Sequence, residues 1–172
     1  SEKGIIKSWE KSAPKLLWNV KGSGRGFSSV SISNGVLYTS GNFEGGQGVS
    51  AFSIKDGKLL WQTAVTDLAP KHGYEGARSA PTVDGDHLYI TTSNGVIACL
   101  STKGKLVWSK DFKKEWKGKM MSGWGFSESP LVDGDRVVCT PGGNSAFMVS
   151  LDKKTGATKW KTKIDPEELG KK

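Results

Sequence analysis

The chain reads as an all-β protein assembled from propeller blades, each a meander of four short antiparallel strands. Three observations carry this reading. One phrase recurs in register three times: SSVSISNGVLYTS from Ser28, SAPTVDGDHLYITT from Ser79 and SESPLVDGDRVVCT from Ser127. Ile32, Val83 and Val132 share one position, and Tyr38, Tyr89 and Val138 share another. Each copy then runs through a glycine turn to a tryptophan, Trp61, Trp108 or Trp160, with Trp18 in a similar Leu-Leu-Trp setting. The tryptophans are spaced about 43, 47 and 52 residues apart, which is the period of propeller-type arrays. Within each copy, apolar residues alternate with period two, and glycines fall where the chain must reverse.

Residues 1–27 form an N-terminal segment in which Lys15 to Trp18 reads as an isolated outer strand. Residues 28–62 make the first blade, 79–109 the second and 127–163 the third; 164–172 is a polar tail. In the middle copy the expected strands are Ser79 to Val83, His87 to Thr91, Val96 to Leu100 and Lys105 to Trp108. Asp84-Gly85 and Asn94-Gly95 supply the positive φ angles of tight hairpins, and Lys103-Gly104 turns the chain into the fourth strand. An outer strand with no companions ahead of it is the kind that closes a ring by completing the last blade. Three blades and this strand therefore read as part of a larger propeller, or as a piece that associates with further blades or with other copies of itself.

A large flat indole ending each outer strand suits burial against the next blade, so Trp18, Trp61, Trp108 and Trp160 read as docking residues. Gly57, Gly104 and Gly156 are the turns that precede or receive them. The small residue that opens each motif, Ala51, Cys99 or Ser150, leaves room for that approach.

No stretch approaches the roughly 18 consecutive apolar residues of a membrane helix, and no secretory signal opens the chain. The formal charge is +8. Lysines cluster from Lys103 to Lys119 and around Lys153 to Lys163, but acids are interspersed and no recognition module is visible, so nucleic acid is not the favoured partner. Two histidines and two widely spaced cysteines give no metal set. No Gly-x-Ser-x-Gly elbow supports serine hydrolysis. Gly22 to Gly26 imitates a phosphate loop without a helix to follow it. Cys99 and Cys139 read as buried free thiols, with pairing open if the protein is exported.

The stretches AFSIKDGKLLW from Ala51, CLSTKGKLVW from Cys99 and SLDKKTGATKW from Ser150 resemble the tryptophan-docking motif of pyrroloquinoline-quinone (PQQ)-type β-propeller repeats, Ala-x-Asp-x-x-Thr-Gly-Lys-x-x-Trp. The third copy keeps Asp152, Thr155, Gly156 and Trp160; the first has Ser53 and Asp56 for the acid and the threonine; the middle is one residue short. The resemblance implies a ring of about seven or eight blades. It also implies one of two roles, a binding or scaffold propeller that engages protein partners, or a quinoprotein oxidoreductase acting on an alcohol or sugar. The opening residues from Glu2 to Trp18 resemble exported bacterial propellers of planctomycete type, which implies an extracytoplasmic location.

Loops carry function more often than scaffolds do. The long connections Gln62 to Arg78, with His72, Tyr74, Glu75 and Arg78, and Lys110 to Phe126, with Trp116, Met120, Met121 and Trp124, are where a site would sit, together with Arg25. For PQQ with calcium, the cofactor the resemblance admits, Arg25 and Arg78 are the cationic candidates, Trp124 the stacking ring, and Glu128 or Glu75 the cation ligand. The adjacent-cysteine disulfide of many quinoprotein alcohol dehydrogenases has no counterpart here, and no calcium-ligand set or catalytic Asp can be matched. A small-molecule ligand of another kind remains open on the same loops.

Overall fold

The computed structural model describes Ser8 and residues 13–120 and 122–165. Among these described residues, twelve strands form three four-stranded antiparallel sheets, each in simple sequential order. Blade 1 holds β1 (Val30–Ser33), β2 (Val36–Phe43), β3 (Gly46–Ser53) and β4 (Leu59–Ala64). Blade 2 holds β5 (Thr82–Asp84), β6 (His87–Thr91), β7 (Val96–Ser101) and β8 (Leu106–Asp111). Blade 3 holds β9 (Leu131–Asp133), β10 (Arg136–Cys139), β11 (Val149–Asp152) and β12 (Thr158–Lys161). A short helix, α1 (Phe112–Trp116), lies between β8 and β9.

Strands in the middle of the array are apolar on both faces because both are covered. Leu88 and Ile90 of β6, with Ala98 and Leu100 of β7, pack on Tyr38, Val49 and Ala51 of blade 1. The alternate residues Tyr89, Ile97 and Cys99 turn the other way and pack on Val137, Cys139, Val149 and Leu151 of blade 3. The period-two pattern of the sequence is thus split between two blade interfaces. Full burial of such a side chain contributes about 1.5 to 3 kcal/mol.

The register explains the repeated phrase. Tyr38 pairs with Ala51 and Ala51 with Trp61; Tyr89 pairs with Cys99 and Cys99 with Trp108; Val138 pairs with Ser150 and Ser150 with Trp160. In every blade the register slips immediately after the small residue, between Ala51 and Phe52, Cys99 and Leu100, and Ser150 and Leu151. A bulge of this kind bends and twists the outer edge of the sheet where the tryptophan sits.

Each indole reaches the next motif turn in the same way. The Trp61 indole N–H donates to the Thr102 carbonyl at 3.0 Å and that of Trp108 to the Lys153 carbonyl at 3.1 Å. The Trp18 indole does the same to the Ile54 carbonyl at 2.9 Å, from the segment ahead of blade 1. Their rings lie on Gly104, Gly156 and Gly57 respectively: a Cβ built on any of these glycines would stand within 3.0 Å of the indole. The same glycines have φ of 85°, 72° and 71°, in the left-handed region that side chains disfavour, so two requirements coincide on one residue. Trp160 has no such turn opposite it among the described residues and is 38% exposed. The Asp-x-x-Thr-Gly turn of blade 3 closes on itself, Asp152 Oδ1 accepting from Lys154 N, Thr155 N and the Thr155 hydroxyl. Those bonds hold the Asp152 carboxyl below its usual pKa.

A second set of bonds runs along the inner strands. The Ser31 hydroxyl donates to the Pro81 carbonyl, and Thr82 Oγ1 donates to the Pro130 carbonyl at 2.6 Å. Blade 3 has Leu131, 63% exposed, at this position.

The structure departs from expectation in three places. Lys15 to Trp18 joins no ladder, because no strand lies beside it among the described residues to supply backbone partners. The first strand of the middle copy begins at Thr82 rather than Ser79, since Pro81 has no N–H to give a ladder; β9 likewise begins directly after Pro130. The connection from Lys110 contains α1, whose Asp111 caps the amides of Lys113 and Lys114. Its Phe112 and Trp116 enter the core between blades 2 and 3, so Trp116, expected on an exposed loop, is only 6% exposed.

Cys99 and Cys139 are free, buried and in that same core. Burial pushes the Cys99 thiol up to about 11 from 9.0, against a smaller lowering from its hydrogen bond with Tyr89. Burial raises Cys139 and Tyr89 as well.

Two outcomes follow. Trp108→Ala is expected to cost about 3 to 5 kcal/mol in urea unfolding; a loss below about 1 kcal/mol would remove the indole from the set of contacts that matter. As pH rises through the interval from about 9 to about 11, an unfolded Cys99 has lost its proton while the folded one keeps it. Stability attributable to Cys99 therefore falls across that window. Cys99→Ala, a residue blade 1 already carries as Ala51, is expected to lose less stability than the parent between those pH values; parallel curves would contradict the assignment.

Candidate functional site

The long connections from each fourth strand to the next first strand share a rim with the β2–β3-type turns. At Gly26 the first of them pairs with Ala77, and at Arg25 it pairs with Asn42 at the end of β2. These bridges bring the chain near Arg25 against the Gln62 to Arg78 connection. Phe126 N donates to the Ser93 carbonyl at 2.9 Å, tying the next connection to the β6–β7 turn.

On this rim Tyr74 and Trp124 stack almost parallel, with centroids 4.6 Å apart and planes at 7°. They come from two successive connections and remain 57% and 55% exposed. With Phe27, Arg78 and Ser127 they line an open, chiefly apolar groove of about 560 Å³. The Arg78 guanidinium lies 5.8 Å from the centre of the Phe27 ring, within cation–π range. Its two terminal nitrogens donate to backbone carbonyls, Nη1 to Gly76 at 2.9 Å and Nη2 to Tyr74. Arg78 thus holds the Tyr74 loop in shape and presents the flat side of its guanidinium to Phe27.

The four residues expected to hold a quinone do not converge. Arg78 and Trp124 share the groove. Arg25 is turned to Glu75, 2.8 Å away in a largely exposed ion pair, and lines a separate hollow with Asn42, Phe43 and Pro70. Such a pair is worth little in water, about 0 to 1 kcal/mol. Glu128 lies in a third place, a hollow of about 320 Å³ with Met120, Phe126, Thr140 and Phe147, where its Oε1 accepts from the Thr140 amide at 2.5 Å. Among the described residues no three His, Cys, Asp or Glu side chains come together as a metal-holding group. His72 lies beneath the rim near Gly125, with Nε2 buried and without a hydrogen-bond partner among the described residues. Met121 lies outside the described residues.

Sequence reasoning missed the residue that fixes the rim from inside. Gln47, fully buried at the start of β3, accepts from the Ser93 amide at 2.6 Å and donates to Ser93 Oγ at 3.1 Å and to Asn42 Oδ1. One side-chain amide thereby links the β2–β3 turn of blade 1 to the β6–β7 turn of blade 2. The sequence signal was faint: a single Gln among the glycines of GGQGVS.

The family described as outer membrane protein assembly factor BamB matches residues 1–80 and 45–170. No curated protein matches the chain. Among solved structures it is similar to the quinohemoprotein alcohol dehydrogenase of Comamonas testosteroni, at TM-score 0.64 and 19% identity over 81% of this chain and 21% of that one. It is similar to quinohemoprotein alcohol dehydrogenase ADHIIG of Pseudomonas putida HK5, at TM-score 0.56 and 22% identity over 76% of this chain and 19% of that one. BamB of Moraxella catarrhalis is similar at TM-score 0.52 and 22% identity over 78% of this chain and 36% of that one. The chain therefore spans about a fifth of the length of the two dehydrogenases and about a third of BamB, and at these identities the likeness is one of fold. With three registered blades and a family match along almost its whole length, the chain belongs to the PQQ-like β-propeller family that includes outer membrane protein assembly factor BamB.

Proposed function

We propose that the chain is part of a binding propeller, in which indoles docked on glycine turns hold the blades and the rim groove of Phe27, Tyr74 and Trp124 receives an apolar or aromatic group of a protein partner. The observation that supports this is the exposed Tyr74–Trp124 stack. Exposed aromatics in a groove are unusual on a surface that has nothing to bind, and rigid aromatics dominate binding energy at interfaces. The nearby charged groups are already engaged, Arg78 with two carbonyls, Arg25 with Glu75 and Glu128 with an amide. Among the described residues Arg78, the one cation lining the groove, has both terminal nitrogens on backbone carbonyls, which favours apolar contact over the grip on three carboxylates that a quinone requires.

The family description supports a protein partner of the kind met in outer membrane assembly and, with it, a place outside the cytoplasm. On the same reading the face of blade 3 that carries the half-exposed Trp160, without a neighbour among the described residues, is the seat of a further blade. A second copy offering its own Gly57 turn would first have to displace Trp18, which occupies it. The alternative is a quinoprotein oxidoreductase. A flat aromatic face and two arginines on one rim support it, as does the likeness in fold to the two dehydrogenases. PQQ would there accept electrons from the substrate, Trp124 would stack on its ring, and Arg78 and Arg25 would have to exchange their present partners for its carboxylates.

The test uses a dye-labelled decapeptide of alternating apolar and polar residues ending in aromatics, the pattern of an outer-membrane strand. Fluorescence anisotropy is expected to show saturable binding, weakened at least about tenfold by Tyr74→Ala with Trp124→Ala, the loss expected of an interface hot spot. PQQ titrated with calcium is expected to leave its absorbance spectrum unchanged. Saturable, Trp124-dependent PQQ binding without peptide binding would establish the oxidoreductase alternative instead.

A further inference from the structure

The lysine cluster that runs from the β7–β8 turn into the Lys110 to Phe126 connection is not a uniformly solvated surface. From Lys103 to Lys119 the chain carries seven lysines and two acids, and both acids are occupied. Asp111 caps α1 through the amides of Lys113 and Lys114, and Glu115 pairs with Lys110 at 3.4 Å. Among the described residues, no carboxylate pairs with Lys113, Lys114, Lys117 or Lys119.

Two of these lysines are brought against a second element. Lys117 ends α1 with φ of 53°, turning the chain so that Lys119 N donates to the Pro141 carbonyl at 2.9 Å. The chain thereby lies on the β10–β11 connection of blade 3. Gly143 makes the contact possible: a Cβ there would stand 2.8 Å from the Trp116 carbonyl oxygen and 2.9 Å from that of Lys117. Lys117 and Lys119, with Gly143, Asn144 and Ser145, enclose a hollow of about 280 Å³.

The turn facing the lysines is rich in unused donors. Ala146 N donates to the Gly143 carbonyl at 3.0 Å and closes the turn, leaving Asn144 and Ser145 at its exposed tip. Neither their amides nor their side chains donate to any acceptor among the described residues, although the Asn144 carbonyl accepts from Ile164 N at 3.1 Å. The acid that follows Ile164, Asp165, has a partner of its own.

We propose that this hollow is a binding site for a phosphate-type oxyanion, held by the Lys117 and Lys119 ammonium groups, the tip amides and the Ser145 hydroxyl. Charge-assisted hydrogen bonds from several directions onto one compact anion are the strong kind, and among the described residues no carboxylate lines the hollow itself. The hollow has room for a phosphate group, carried either by a soluble phosphate compound or by a phospholipid headgroup. The site is separate from the aromatic groove and does not depend on what that groove binds.

The test is an amide NMR titration of the full chain with inorganic phosphate at pH 7, with ionic strength held constant by chloride. Saturable shifts are expected at Asn144 and Ser145. Lys117→Gln with Lys119→Gln should weaken them at least about tenfold, since both ammonium groups that bond the anion are removed. Lys103→Gln with Lys105→Gln, an equal change of net charge on the opposite rim, should leave the affinity within about twofold. Co-sedimentation with phosphatidylglycerol vesicles, against phosphatidylcholine alone, separates the sources: retention that the Lys117/Lys119 variant loses assigns a lipid headgroup, and saturable phosphate binding without retention assigns a soluble phosphate. Linear shifts, equal shifts in the Lys117/Lys119 variant, or equal shifts with chloride alone would overturn the proposal.

Discussion

An indole lying on a glycine is the contact on which the order of the array turns. Each blade carries both halves of it, a tryptophan on its outer strand and a glycine turn before that strand, so one sequence motif faces two neighbours at once. The glycine answers two demands together, a positive φ for the turn and a bare Cα for the ring, and the ring's N–H is satisfied by a carbonyl two or three residues before that glycine. A residue with a side chain would meet both a backbone penalty and a clash. The motif is therefore specific without a polar core, and the sulfur, methyl or hydroxyl opposite each tryptophan only has to be small.

Three kinds of bond cross each blade boundary at different radii. Indoles and glycines meet at the outside, apolar side chains fill the middle, and serine or threonine hydroxyls reach proline carbonyls at the inner strands. Blade 3 lacks part of this set on its outward face, with Val138 in place of the tyrosine and Leu131 in place of the inner hydroxyl. Whatever covers that face meets a surface different from the two interfaces described. The rim opposite the docking turns carries the long connections, and both the aromatic groove and the lysine hollow lie on it. Variation in those connections leaves the docking turns untouched, which is how one scaffold hosts unrelated activities.

Much of the fold was legible in the sequence because the repeat presents the same physical problem three times. The hairpin glycines, the small residue opposite each tryptophan and the alternation of Leu88, Tyr89 and Ile90 between two faces all leave local marks. What was not legible depended on partners far away in sequence. The bulge after Ala51, Cys99 and Ser150 is a property of pairing and leaves no residue signature. Helix α1 did leave one, Asp111 before Phe112 and Trp116 four residues apart, but a lysine-rich surround masked it. The candidate site was legible as residue types only. Arg78, Arg25 and Glu128 looked available because the sequence could not show that a carbonyl pair, Glu75 and the Thr140 amide engage them. The two partners of the stack, Tyr74 and Trp124, were named on separate loops with no means of seeing that they meet.

The most direct measurement of this account is a double-mutant cycle on Trp61 and Gly104 by urea unfolding. In the parent protein an alanine at 104 places its Cβ 2.7 Å from the indole and must hold a φ of 85°. In Trp61→Ala only the backbone strain remains, about 1 to 2 kcal/mol. The account predicts that Gly104→Ala costs at least about 1 kcal/mol less in the Trp61→Ala background than in the parent, a coupling typical of residues in contact. Additivity within about 0.5 kcal/mol would mean that the ring and the glycine act independently, and would contradict the claim that their contact orders the blades.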